Sequence, residues 1–218
     1  MPEPQVTQRV NDFVIKLANV NGTGSASDNS LLMKSIFRMG VPVVGKNFFP
    51  SNIQGLPTWY EIRVTGDGYQ SRSDRVDIMV AMNVQTYAQD MADVAPGGWL
   101  IYDSTWPRST LLNRDDINIV GIPLAKMCNE QFSTARSRVL MKNVAYVGAT
   151  AALLDIDMDV IDHLLDLGIN DLAEFREVHD RAEVGVRTEV PGLGQVSGLR
   201  HATGEQELGP DLPLAEIG

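Results

Sequence analysis

The sequence predicts an α/β protein: an open, largely parallel sheet covered by helices on both faces, with a poorly packed acidic C-terminal tail. Three observations predict it. An apolar run at 13–20 turns through Asn21-Gly22-Thr23-Gly24-Ser25 into a helical pattern and then a second apolar run, a β–loop–α–β unit. Further short apolar runs recur between segments with helix caps. Charge is also segregated: residues 1–154 carry 14 Lys and Arg against 13 Asp and Glu, whereas residues 155–218 carry 4 against 15.

Phe13 to Val20 reads as a buried strand. Ala26 to Met39 places Leu31, Leu32, Ile36 and Met39 near helical spacing, and Gly40 stops the helix. Val41 to Val44 supplies the next strand, and Lys46 to Pro57 reads as a loop. Thr58 to Thr65 alternates, with Trp59, Glu61 and Arg63 on one face and Tyr60, Ile62 and Val64 on the other. One wet face is the pattern of a sheet edge or an antiparallel hairpin.

Gly66-Asp67-Gly68 makes the next turn, Asp77 to Met82 another buried strand, and Asn83 caps a helix through Val94. Pro96-Gly97-Gly98 ends that helix, Trp99 to Tyr102 returns to the sheet, and Ile117 to Ile122 adds a strand. Arg136 to Leu154 is an apolar helix whose Ala149, Ala151 and Ala152 allow close packing. Asp157 caps a last amphipathic helix with Val160, Ile161, Leu164 and Leu165 inward and Gly168 at its end. The domain is expected at 11–168, and 169–218 as a Gly- and Pro-punctuated linker and tail with little to bury.

Composition excludes several functions. Cys128 is the single cysteine, so the chain has no internal disulfide and no thiolate set for zinc or an iron–sulfur cluster. Its apolar neighbours Ile122, Leu124 and Met127 favour a small buried hydrophobe over a nucleophile. His163, His179 and His201 lack metal-ligand spacing, so no metal site is expected. The balanced N-terminal part argues against nucleic acid, because phosphate binding needs a basic face. No apolar run reaches the ~18 residues of a membrane span. Residues 1–11 have no apolar h-region, and the expectation is a cytoplasmic protein.

Two segments stand out as candidate binding groups. Gly22-Thr23-Gly24, between strand and helix, is either a phosphate-binding turn or a tight turn that lets helix and sheet pack. Ser27 takes the third fingerprint position and no acid follows the second strand, so a dinucleotide site lacks its ribose partner. The loop from Lys46 brings Asn47, Ser51, Asn52 and Gln54 together with Phe48 and Phe49, and Trp59 and Tyr60 follow. Its phenylalanines pack either under their own domain or against a partner.

Val20 to Ser27, Leu31 to Lys34 and Gly45-Lys46-Asn47-Phe48-Phe49-Pro50-Ser51-Asn52-Ile53-Gln54-Gly55-Leu56-Pro57, running on to Arg63, are similar to the start of the large subunit of 2-oxoglutarate:ferredoxin oxidoreductases. The similarity continues through 77–85, 96–104 and 146–154, in order over about 11–168. The segment resembles that family's gamma domain, which precedes an alpha domain. The resemblance implies that a complex converts a 2-oxoacid and CoA to acyl-CoA and CO2 and reduces ferredoxin. That complex uses thiamine diphosphate, Mg2+ and an iron–sulfur cluster, the thiamine diphosphate being carried by a beta subunit.

On that reading no catalytic residue lies in this chain, and an oligomer is expected. Gly22, Thr23, Gly24, Lys46, Asn47, Ser51, Asn52, Gln54 and Tyr60 face substrate or CoA, and Phe48, Phe49 and Trp59 a partner. Residues 187–209 resemble a piece from the far end of the alpha domain, and on that reading most of the domain in between is expected to be missing. The other reading is a free-standing α/β nucleotide- or CoA-binding protein.

Overall fold

A computed structural model describes residues 11–166 except 51, 52, 69, 70, 72, 107–109, 111 and 112. The expectations for 169–218, and those for Ser51 and Asn52, lie outside the described residues.

Six strands form one sheet: β1 (Asp12–Val20), β2 (Val43–Phe48), β3 (Pro57–Thr65), β4 (Val76–Ala81), β5 (Val94–Asp103) and β6 (Asn118–Ile122). Their order across the sheet is β2-β3-β1-β4-β5-β6. β1, β4, β5 and β6 run parallel, and β3 pairs antiparallel with both β1 and β2. The helices are α1 (Ser25–Arg38), α2 (Tyr87–Asp93), α3 (Leu124–Gln131), α4 (Ala135–Leu154) and α5 (Met158–Asp166).

The alternation of strand side chains divides the core in two. On one face Ile15, Leu17, Tyr60, Ile62, Val80 and Ile101 pack under Leu32 and Ile36 of α1, Cys128 of α3, Tyr146 of α4 and Ile161 of α5. On the other, Ala18, Trp59, Met79, Leu100 and Tyr102 pack under Tyr87 and Met91 of α2. The parallel strands carry near-continuous apolar runs because both their faces are covered.

Three details correct the sequence reading. β2 runs on to Phe48, so Lys46 and Asn47 belong to a strand and not to a loop. β3 is an interior strand, and its supposedly wet face is buried: Trp59 lies beneath α2, and Glu61 is flanked in register by Lys16 and Lys46. Because β3 inserts between β2 and β1, the β1–α1–β2 unit does not place its two strands side by side. α3 is a further helix that the sequence pattern does not predict.

Asn83 does cap a helical start, its Oδ1 accepting from the Gln85 N–H at 3.1 Å over a 3-10 turn that leads into α2. Asp157 likewise accepts from the Asp159 N–H at 3.0 Å at the start of α5. Among the described residues, no helix is long and apolar enough to cross a membrane.

Candidate functional site

β1 leads into α1 on one face of the sheet, and its parallel neighbour β4 leads into α2 on the other. Ligands of open α/β sheets bind at such a divergence, outside the carboxyl ends of the strands. Here the divergence is partly closed by the chain itself. The Met82 N–H donates to the Ala18 carbonyl at 3.0 Å, and Asn83 Nδ2 to the Asn19 carbonyl at 3.4 Å.

The turn after β1 is built from positive backbone angles, with φ 88° at Gly22 and 83° at Gly24, which caps α1 without a side-chain bond. The Gln54 side chain lies where a Cβ on Gly22 would point, 2.6 Å from that position, and Leu140 of α4 does the same at Gly24. The turn is also hydrogen-bonded to the loop after β2. Asn21 N–H donates to Leu56 O at 2.8 Å, Gly55 N–H to Asn21 O at 2.9 Å, and Asn21 Nδ2 to Ile53 O at 3.1 Å. Thr23 turns its hydroxyl inward onto Val20 O at 2.8 Å. The two segments singled out in the sequence thus form one hydrogen-bonded body, with Gln54 lying across Gly22 where a phosphate would approach a dinucleotide-binding turn.

Of the remaining candidates, Lys46 and Asn47 are exposed on β2, and Lys46 Nζ lies 5.2 Å from the centre of the Phe48 ring. Tyr60 is buried, its hydroxyl against Met33 of α1 at 3.5 Å and close to Gly45, and burial raises its pKa. It offers nothing to a ligand at this edge, which corrects its assignment as a substrate-facing group. Trp59 is likewise buried, donating its indole N–H to Asp90 Oδ1 at 2.9 Å, and Phe48 is half-buried against the same core. Phe49 alone of the three partner-facing candidates is largely exposed.

A polar cluster behind the turn escaped the sequence reading. Asn19 Nδ2 donates to Tyr146 Oη at 3.4 Å, Tyr146 Oη donates to Asn29 Oδ1 at 2.8 Å, and Asn143 Nδ2 donates to Thr23 O at 2.9 Å. Asp28 stands beside them, its pKa pushed up to about 7 by burial and restrained by a hydrogen bond from Asn143. Asn19 inside the apolar run 13–20 was the available signal, since a polar residue on a buried strand must find a partner.

The sequence model of the family described as pyruvate ferredoxin/flavodoxin oxidoreductase matches residues 14–172. That span covers the sheet except for the first two residues of β1, and all five helices. The chain belongs to this family.

The alpha subunit of 2-oxoacid:ferredoxin oxidoreductase 2 from Aeropyrum pernix is 28% identical to this chain over 123 residues. That match takes in 56% of this chain and 19% of the relative, so the chain corresponds to a small part of that subunit's length. Solved structures share the fold. The 2-oxoglutarate:ferredoxin oxidoreductase from Magnetococcus marinus, determined with 2-oxoglutarate, coenzyme A and succinyl-CoA bound, matches with a TM-score of 0.73 at 22% identity, over 88% of this chain and 33% of that one. The gamma subunit of a keto/oxoacid ferredoxin oxidoreductase from Geobacter sulfurreducens matches at 0.67 and 13% identity, over 81% of this chain and 99% of that one. The pyruvate oxidoreductase subunit PORC from Thermotoga maritima matches at 0.62 and 14% identity, over 81% and 96%. The fold of this oxidoreductase family thus occurs both as a whole subunit and as one third of a longer chain.

At this edge the side chains of Lys46, Asn47 and Gln54 are exposed, around a turn against which Leu140 of α4 packs. Cys128 is buried and its thiol pKa is pushed up to about 11, chiefly by that burial, which is the setting of a structural cysteine.

Proposed function

We propose that residues 11–168 are the gamma-type domain of a thiamine-diphosphate-dependent 2-oxoacid:ferredoxin oxidoreductase, in an oligomeric complex with a thiamine-diphosphate-carrying beta subunit. The complex converts a 2-oxoacid and CoA to acyl-CoA and CO2 and passes the electrons to ferredoxin. This chain contributes structure and a substrate- and CoA-side surface around Gly22-Thr23-Gly24, Lys46, Asn47, Ser51, Asn52 and Gln54. The observation that carries the reading is the family match, which spans residues 14–172 and so nearly all of the described fold. The 2-oxoglutarate branch is favoured by the sequence from Gly45 to Arg63, which resembles that branch's large subunit.

The described residues do not fit the complex's inorganic groups. One cysteine cannot hold a cluster that takes about four thiolates. Among the described residues, no three His, Cys, Asp or Glu side chains converge as metal ligands. No reaction step is therefore assigned to this chain.

The test is to express the tagged chain in its native host and isolate what accompanies it. Expected are a co-purifying subunit with bound thiamine diphosphate and CoA-dependent reduction of methyl viologen by 2-oxoglutarate in preference to pyruvate. The chain purified alone should reduce no dye. Isolation as a free monomer with nucleotide or CoA bound would replace this reading with a free-standing binding protein.

A further inference from the structure

Among the described residues, seven large hydrophobic side chains are conspicuously exposed, and their distribution is uneven. Phe37 sits at the far end of α1. The other six gather at the carboxyl edge of the sheet and are between 38% and 63% exposed. Phe49, Ile53 and Leu56 follow β2, Val84 follows β4, Trp106 follows β5, and Val139 lies beside Leu140, whose side chain abuts Gly24. Four separate segments therefore bring apolar side chains to one end of the molecule. Scattered surface hydrophobics are ordinary, but a gathering of this kind marks an interaction site.

The charges at this edge are ordered in the same way. Lys46 near the end of β2, Lys126 in the first turn of α3 and Arg136 in the first turn of α4 are exposed. The carboxylates in the matching positions are turned onto this chain's own donors. Asp28 bonds Asn143, Asp90 takes Trp59 Nε1–H and the Thr86 hydroxyl, and Asp103 accepts the Ala125 N–H at 3.2 Å. Facing outward are these apolar side chains, with exposed cations and the amides of Asn47 and Gln54 beside them.

We infer that the carboxyl edge of the sheet is the docking surface for another polypeptide of the same oxidoreductase assembly, one presenting an apolar patch bordered by Asp and Glu. The inference rests on the function proposed above. The occurrence of this fold both as a separate gamma subunit and as a third of a longer chain favours a protein occupant, because a separate subunit is held to its complex by surface alone. The geometry favours it too. The side chains project from four separate segments around the end of one sheet, a relief that matches a shaped partner better than a lipid surface, which an amphipathic helix serves.

The test uses the tagged full-length chain in its native complex. A triple variant, Phe49→Ser with Ile53→Ser and Trp106→Ser, is compared with Phe37→Ser at the opposite end. Expected is at least ~10-fold weaker retention of the partner subunit by the triple variant, tighter rescue at low salt, and wild-type retention by Phe37→Ser. Unchanged thermal melting of the isolated triple variant shows that the fold is intact. A complex that survives the triple variant overturns the inference while leaving the proposed function standing, whereas a wild-type chain that captures no partner overturns both. Two other results also overturn it: wild-type sedimentation as a dimer that the triple variant abolishes, and pelleting with phosphatidylserine vesicles lost in the triple variant while the complex persists.

Discussion

The indole N–H of Trp59 meets the carboxylate of Asp90 at 2.9 Å, and this bond joins the antiparallel strand β3 to α2 across the face of the sheet. The other Asp90 oxygen accepts the Thr86 hydroxyl at 2.6 Å. Burial raises the Asp90 pKa, and these two bonds oppose the rise.

Removing the carboxylate should therefore be expensive. Asp90→Ala leaves the Trp59 N–H buried without an acceptor and is expected to destabilise the fold by about 2–3 kcal/mol. Asp90→Asn keeps one acceptor oxygen and should cost clearly less. Urea melts of the two variants give the order, and an Asn variant as unstable as the Ala variant would show that the charge itself matters.

Asp28 gives a pH dependence of defined sign. Its folded pKa of about 7 lies above the unfolded value of about 4. The folded state therefore holds the proton more tightly, and stability falls as pH rises through the window from about 4 to 7. Asp28→Asn should be more stable than wild type at pH 8, with the difference shrinking toward pH 5. Thermal melts across that range check it, and parallel pH profiles for the two proteins would refute it.

Gly22 and Gly55 share a backbone requirement and differ in surroundings. Their φ angles are 88° and 90°, yet Gln54 crowds a Cβ at Gly22 and nothing lies within 4 Å of one at Gly55. Each Ala variant should lose about 1–2 kcal/mol from backbone strain alone. Only Gly22→Ala also displaces Gln54. If Gln54 contributes to the substrate-side surface, Gly22→Ala should raise the KM for CoA in the complex and Gly55→Ala should leave it unchanged.

The adjacent phenylalanines should separate cleanly. Phe49→Ser is expected to change stability by less than about 0.5 kcal/mol, as at other exposed positions. Phe48→Ser, which strips a ring packed on the Trp59 core, should cost about 1–3 kcal/mol. Equal urea midpoints for the two single variants would contradict the packing seen here.

Much of the fold was legible because apolar runs and caps are local signals. The run at 13–20, the Gly40 stop, the Asn83 cap and the start of α4 needed no knowledge of neighbours. What escaped depended on pairing. β2 continues through Lys46 and Asn47 because β3 supplies hydrogen bonds, although polar residues there resemble a loop. Glu61 is buried because Lys16 and Lys46 flank it in register, residues far from it in the sequence. α3 occupies only eight residues between Pro123 and Phe132, too few to show a period. At the candidate site the glycine turn and Gln54 were visible singly. Their contact was not, nor was the α4 polar cluster behind them, since both arise from segments about 30 to 120 residues apart.

The strand order has one more consequence, for solubility. The two outermost strands, β2 and β6, have six and five residues, and among the described residues each lies beside another strand on one side only, so its outer side is a row of backbone amides and carbonyls with no neighbouring strand. Such a row can recruit a strand from another molecule and seed aggregation. In β2, Lys46 and Asn47 stand exposed along that row, and a visiting strand would have to dehydrate the ammonium to pair there. The lysine that made β2 look like a loop thus also serves as a gatekeeper, so that a molecule displaying an apolar end can dock there without polymerising through its side.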